Sequence, residues 1–555
     1  MPMARSGSAR VWAGQMARYI VFGLVVAATA LGLVLGLFAH TAFLWPLLLG
    51  IPLSVLGAWD MLQSQHSLLR NYPLLGHMRW LFEGIRPEIR QYLMESDEDA
   101  VPFSREQRSI VYQRAKNALD KRPFGTKLDV YETGYAWLTH SMAPKPKTDG
   151  TFRVTIGGPG CKRPYSASIY NISAMSFGSL GASAIRALNQ GAKLGDFAQD
   201  TGEGSISRYH REFGGDLIWE IGSGYFGCRN RDGTFDPASF AEQAASDQVK
   251  MIEIKLSQGA KPGHGGILPA AKITPEIAEA RRIPMGEDCL SPTRHSAFST
   301  PLELMAFIQR LRDLSGGKPV GFKLCVGYQW EFFGLIKAML ETEITPDFIV
   351  VDGKEGGTGA APLEFSDHVG TPLVEGLTFV RNALIGAGLR DRIRVGASGK
   401  LVTAFDLAWA SALGADWCNS ARGFMFALGC IQAQKCHTNR CPVGVATQDP
   451  GRQRALVVDD KARRVANFHR HTLAALAELI AAAGLEHPLD LRPWHLMLRA
   501  KNGAVLSPDE AFPRLRSGEL LGGTDHPVYG RAWLMASSAQ FAPTLETEVD
   551  AATTA

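Results

Sequence analysis

Between residues 164 and 430 short apolar runs alternate with helix-like ones, and this alternation narrows the possible architectures more than any other feature. The runs are Ala167–Ala174, Asp196–Gln199, Leu217–Ile221, Met251–Leu256, Val320–Cys325, Phe348–Val351, Ile393–Gly396 and Trp417–Asn419. Helical segments are expected at Gly181–Gly191, Leu302–Leu314, Phe332–Leu340, Pro372–Ile385, Ala404–Leu413 and Phe424–Leu428. Strands alternating with helices build parallel βαβ units. The eight candidates here, closing on themselves, make an α/β fold of the (β/α)8 TIM-barrel type. An open doubly wound sheet is the alternative. Polar and glycine-rich residues follow each run, as in Thr201-Gly-Glu-Gly, Asp352-Gly-Lys-Glu-Gly-Gly-Thr-Gly and Ala397-Ser-Gly-Lys. Barrels build active sites at those strand ends, and the last two loops commonly hold a phosphate. Ser398, Gly399, Arg422 and Gly423 occupy those loops, where glycines either admit phosphate oxygens or simply make tight turns. Lys255 and Lys323 end two of the strands, where a lysine either serves the site or merely caps the barrel.

The N-terminus has a different texture. Tyr19 to Trp59 is 41 residues without one Lys, Arg, Asp or Glu. A bilayer crossing takes ~20 apolar residues, so the run holds two, Tyr19–Ala39 and Phe43–Trp59, as a transmembrane hairpin in contact with membrane lipid. A cleaved signal peptide is the competing reading, but its core is only ~7–15 residues. Arg5, Arg10 and Arg18 precede the hairpin and Arg70 and Arg79 follow it. The positive-inside rule then puts both ends and the catalytic body in the cytoplasm, on a bacterial inner membrane crossed by two helices. Lys+Arg 58 against Asp+Glu 54 gives +4; removing the three leading arginines leaves +1. That balance argues against nucleic acid as a partner. The expected organisation is 1–62 hairpin, 63–160 helical connector, 161–490 barrel and 491–555 C-terminal extension ending in a disordered tail. Arg463–Leu485 is expected as one amphipathic helix.

Gly222-Ser-Gly-Tyr-Phe-Gly matches a dinucleotide-loop pattern after an apolar run, but a turn follows it rather than a helix. Cys430, Cys436 and Cys441 are spaced C-x5-C-x4-C and precede Pro442. A reducing cytoplasm leaves such thiols free to hold metal. Three thiolates with a following proline suit a three-iron cluster. Structural zinc needs a fourth ligand, for which His437 is poorly placed, and unrelated thiols are the third possibility.

The stretch Gly429-Cys-Ile-Gln-Ala-Gln-Lys-Cys-His-Thr-Asn-Arg-Cys-Pro resembles the iron–sulfur loop of glutamate synthases. Ile172-Ser-Ala-Met-Ser-Phe-Gly-Ser, Asp200-Thr-Gly-Glu-Gly, Ile252-Glu-Ile-Lys-Leu-Ser-Gln-Gly-Ala-Lys-Pro-Gly and Gly356-Gly-Thr-Gly-Ala-Ala-Pro resemble the FMN domain of that family, in the same order. The similarity spans about 165 to 485. It implies a barrel holding FMN beside a 3Fe-4S cluster on Cys430, Cys436 and Cys441, and reduction of the 2-imino form of 2-oxoglutarate to L-glutamate. The cofactor residues it implies are Ser173, Ala174, Met175, Thr201, Gly357, Thr358 and Gly359, joined by Lys255, Lys323, Ser398, Gly399, Arg422 and Gly423. Ser176, Lys261 and Arg281 match its substrate site, and Glu203, Lys255 and Lys261 its catalytic group.

No stretch of the chain resembles the family's glutamine-hydrolysing domain, so the 2-oxo acid is expected to meet free ammonia or nitrogen from a partner. Electrons are expected from a ferredoxin or a membrane redox partner. The chain reads Lys261-Pro-Gly-His264-Gly-Gly-Ile267 where the family usually has glutamate and glutamine at the fourth and seventh places. Two alternatives follow: an oxidoreductase acting on another carboxylate-bearing substrate, or an electron-transfer subunit.

Overall fold

The computed structural model describes residues 18–63, 66–94 and 102–544. Arg5, Arg10 and the end of the expected tail, 545–555, lie outside the described residues. The chain forms two compact units, Met1–Arg105 and Glu106–Ala555.

The first unit carries apolar helices at Ile20–Phe38 and Leu47–Leu62, joined by a 3-10 turn at Thr41–Leu44. Its second helix starts later than the apolar run suggests, because Pro46 has no N–H to continue the preceding turn and stands at the helix start. Pro52 lies inside that helix. The two helices touch through small residues, with Thr29 Oγ 3.4 Å from Ser54 Oγ. Their outer faces are bare leucine and valine; Leu24 and Leu37 are 64% and 66% exposed. Ile20–Phe38 and the helical stretch Thr41–Leu62 are each long and apolar enough to cross a membrane. Asp60, buried at the end of the second, accepts the Leu74 N–H at 3.0 Å and hydrogen-bonds His77 at 2.9 Å.

The expected connector is helical only in its first part, at Ser67–Asn71, His77–Ile89 and Arg105–Ala115. Beyond Ala115 it is largely irregular, with strands at Ala136–Leu138 and Arg153–Ile156. Pro123, Gly125, Gly134, Pro144, Pro146 and Gly150 interrupt any helix there.

In the second unit eight parallel strands close a barrel. They are β1 (Tyr170–Ile172), β2 (Gln199–Asp200), β3 (Leu217–Ile221), β4 (Val249–Lys255), β5 (Val320–Leu324), β6 (Phe348–Asp352), β7 (Arg394–Ser398) and β8 (Trp417–Ser420). All eight expected runs correspond to these strands, and the open sheet is excluded by the pairing of β8 with β1. Apart from Asp200, Glu220, Glu253 and Lys323, the strands read as mainly apolar runs, because helices cover their outer faces while side chains fill the interior. The helices start where their sequences supply caps: Thr300 accepts the Glu303 N–H, and Thr403 and Asp406 form a capping box. A hairpin, Arg153–Ile156 with Tyr165–Ser168, lies against the N-terminal end of the barrel. Its Gly158 N–H donates to Asp347 at 2.6 Å, and Asp347 also pairs with the buried Arg312. The amphipathic helix runs over Val458–Ala482, slightly beyond the expected Arg463 start, and packs along Ala182–Gly195.

The C-terminal extension is built into this unit. Leu496–Arg499 pairs antiparallel with Ala136–Leu138. Helix Gly530–Met535 packs on Gln329–Thr342 through Phe333 and Trp533, whose ring centres are 5.4 Å apart.

Candidate active site

The C-terminal strand ends bring the expected residues into two groups. The first gathers Glu203, Lys255, Lys261, Ser176 and Arg281. Glu203 follows β2, and its carboxylate lies 2.8 Å from Lys255 Nζ at the end of β4. Ser291 donates to the same carboxylate at 3.3 Å. Burial opposes the charge on Glu203, but Lys255, helped by Arg281 and Lys261, outweighs it and holds the carboxyl down to about 2. Two glycines let this happen. Gly202 has φ +63, and a Cβ there would sit 2.6 Å from the Ser176 nitrogen; one on Gly266 would sit 2.5 Å from a Glu203 oxygen.

Lys261 and Arg281 are 8% and 4% exposed. Neither has a carboxylate within ion-pair distance among the described residues. The Arg281 guanidinium instead donates to the Phe177 carbonyl at 3.1 Å and Ser176 Oγ at 3.4 Å, lies over the Phe226 ring, and leaves Nε without a partner. Burial and the nearby Lys255 charge push the Lys261 pKa down, against Glu203. Two buried cations beside one anion already bound to Lys255 make a site that attracts a further carboxylate.

The second group surrounds the last loops. Ser173 Oγ is 3.4 Å from Ser398 Oγ. Arg422 donates to the Glu355 carbonyl at 2.6 Å and closes over Gly357, while Asp352 accepts the Gly259 N–H at 2.7 Å. Burial pulls the Arg422 pKa down to about 10 against Asp352 and Glu355. Thr358 and Gly359 are exposed on the same loop, Gly399 has φ +151, and Gly423 backs onto Ser420. Met175 and Ala174 continue β1 towards both groups.

Two expected cofactor residues sit differently. The Thr201 side chain is wholly buried; its hydroxyl accepts the Glu220 N–H and donates to the Gly202 carbonyl. Lys323 is 3% exposed inside the barrel, pairing with Glu220, with Glu253 at 2.9 Å and with Asp200 at 3.9 Å. Burial works against its ammonium, but these acids outweigh it and hold its pKa well above the ordinary value. Asp200, Glu220 and Glu253 are the one described group of three potential ligands within 4.8 Å of one another, and Lys323 neutralises it. Burial pushes the Asp200 and Glu253 carboxyls up. Glu220 connects this interior to the first group, 3.8 Å from Lys255 Nζ.

Cys430, Cys436 and Cys441 follow helix Arg422–Leu428 on a loop tied down at several points. Tyr112 donates to the Cys430 carbonyl at 2.6 Å, and Gln448 donates to the Gly178 and Leu180 carbonyls at 2.9 and 3.0 Å. Burial pushes the Cys430 thiol up to about 12, and the Cys436 and Cys441 charges add to this. The three thiols share this loop but are not gathered within 4.8 Å of one another as the ligands of a single ion are. His295 escaped the sequence reading. Its Nε2–H donates to the Lys255 carbonyl at 2.9 Å, and burial holds it neutral with a pKa of about 4. Gly222–Gly227 leads into a turn, as its sequence predicts, and opens no helix.

The model of the conserved region in glutamate synthase matches residues 164–486, the whole barrel and the cysteine loop. The chain belongs to the glutamate synthase family. It is a glutamate synthase-like oxidoreductase of the class acting on CH-NH2 donors. The glutamate synthase large subunit-like protein YerD of Bacillus subtilis is 39% identical over 507 residues, which is 83% of this chain and 96% of that one. The archaeal-type glutamate synthase [NADPH] of Thermotoga neapolitana is 34% identical over 58% of this chain and 60% of its own length. The archaeal enzyme of Methanocaldococcus jannaschii shows the same identity over 58% and 60%. The chain thus spans nearly all of YerD and about three-fifths of the archaeal-type enzymes. Among solved structures, a mandelate oxidase is similar at 14% identity and a TM-score of 0.38, covering 74% of this chain and 94% of that chain.

Proposed function

We propose that this chain is a membrane-attached reductive aminase of a 2-oxo acid, carrying FMN and a 3Fe-4S cluster, with 2-oxoglutarate, ammonia and L-glutamate as default reactants. The observation that carries this reading is the pair of buried cations without acid partners, Lys261 and Arg281, beside the Glu203–Lys255 ion pair. Ser173, Ser398, Gly399, Arg422 and Gly423 fit the phosphate end of a flavin, and three thiols on one short loop, Cys430, Cys436 and Cys441, suit a three-iron cluster. When bound, the flavin supplies hydride and the cluster passes single electrons to it from an external donor, a ferredoxin or membrane redox partner. Arg281 and Lys261 hold substrate carboxylate. Glu203 stays ionised at neutral pH and holds Lys255 Nζ at 2.8 Å, so Lys255 is the proton donor to the imine nitrogen and takes a proton back from water. His295 fixes the backbone of Lys255 for this purpose. The helical hairpin attaches the first unit to a bacterial inner membrane, with the catalytic unit in the cytoplasm.

The deciding experiment is reoxidation of the anaerobically photoreduced flavin by candidate acceptors. A 2-oxo acid with ammonia is expected to reoxidise it and yield the amino acid; failure of every such pair overturns the reading. A second reading, another carboxylate-bearing acceptor, is favoured by Ile267. It is 51% exposed opposite Leu290, where the family usually has a glutamine.

A further inference from the structure

Residues 256–290, which follow β4, carry three buried cations, and each faces a different part of the site. Lys261 faces Glu203, and Arg281 faces Ser176 and Phe177. Lys272 faces the cysteine loop. Its side chain is 5% exposed, and its Nζ donates to the Cys436 carbonyl at 3.1 Å. No carboxylate among the described residues forms an ion pair with it, and burial pushes its pKa down, opposed only by the neighbouring Cys436 and Cys441. It ends a 3-10 turn, Ala270–Lys272, pinned by the Ala270 N–H to Asp288 at 2.7 Å. An ammonium taken out of water without an acid is costly unless another negative charge lies beside it. In a cluster-bound centre the ligand thiolates supply that charge.

We propose that Lys272 is the counter-cation of the cysteine centre and raises its reduction potential. The inference rests on the reading of Cys430, Cys436 and Cys441 as cluster ligands. When the external donor loses one electron and the centre gains it, the centre becomes more negative by one unit. A buried positive charge bonded to a ligand's own carbonyl favours that reduced form, since net charge and nearby hydrogen bonds set the potentials of such centres. The position of Lys272 adds a physical link: the segment that holds the substrate cations also supplies the charge beside the electron store.

A purely structural tether would need the hydrogen bond but not the charge, and two substitutions separate these. Lys272→Gln keeps a donor for the Cys436 carbonyl and removes the charge; Lys272→Arg keeps the charge. Both are made in the full chain and compared by iron content and by an anaerobic redox titration followed by electron paramagnetic resonance. Lys272→Gln is expected to shift the one-electron equilibrium toward the oxidised form at least tenfold, about 59 mV. Lys272→Arg is expected to stay within about threefold of the parent. An unshifted centre in Lys272→Gln with full iron overturns this inference and leaves the cluster reading standing. Absence of iron from the parent chain overturns both. Should the Gln chain hold no iron, the Arg chain decides, and a shift beyond threefold there counts against the charge.

Discussion

Arg281 sits among neutral acceptors, and what it lacks is an anion of its own. Truncating one partner of a desolvated charge pair typically costs ~2–5 kcal/mol. Arg281→Ala should therefore weaken productive use of a carboxylate substrate by about 30-fold or more in kcat/KM, with flavin content unchanged because the arginine lies outside the phosphate loops. Intact turnover of every accepted substrate would remove the carboxylate site from the scheme. Ile267→Gln restores the donor usual in the family at this place; if 2-oxoglutarate with ammonia is a poor pair for the natural chain, the change should improve it by roughly 1 kcal/mol or more. Glu203 makes a prediction about acid. Its folded pKa lies below the ordinary value of 4.5, so its ion pairs stabilise the fold above that value and are lost as pH falls through about 2. Denaturant unfolding between pH 5 and 2 should show a shallower loss of stability in Glu203→Gln than in the parent. At this scale the motifs put the right side chains in one place. They could not say that Lys323 points into the barrel, because facing depends on the register of β5 with β4 and on acids in β2, β3 and β4. The signal for that network was present as Glu220 and Glu253, acids inside otherwise apolar runs. His295 left none: it lies in an irregular stretch, and only the fold carries it to Lys255.

The cysteine loop is an element with little regular structure of its own, held by Tyr112 and Lys272 from two other parts of the unit and anchored to Gly178 and Leu180 through Gln448 at its end. Cys436→Ser should abolish the iron signal while the barrel still binds flavin, measured as iron and FMN per chain. About three irons are expected in the parent. Stoichiometric zinc without iron in anaerobically purified protein would refute the cluster. Among the elements, barrel strands were legible because a strand covered on both faces is apolar along most of its length. The connector was not. A charged, helix-like texture up to Ala115 hides the point at which proline and glycine turn the chain into an extended strap, and the partner of Ala136–Leu138 lies some 360 residues away, beyond the reach of any local pattern.

For the whole molecule, the two units make separate predictions. Reporters fused at either end should both report cytoplasm if the apolar pair crosses and returns. A periplasmic signal from the C-terminal fusion would overturn that topology and the reducing environment it provides for the thiols. Deleting residues 1–62 should release a body that keeps its flavin, assayed by absorbance of the purified fragment, since the barrel and its site residues all belong to Glu106–Ala555.

The pairing of Ala136–Leu138 with Leu496–Arg499 also sets a schedule for the newborn chain. The first strand leaves the ribosome about 360 residues before its partner exists, a wait of roughly 20 to 70 s at the usual ~5–20 residues per second. Throughout that interval its backbone donors and acceptors have no mate, and an unpaired edge is a template for another copy of the same chain. A chain halted before residue 496 should therefore go to pellets far more readily than the full one, and a chaperone that shields extended segments should help most while synthesis is under way.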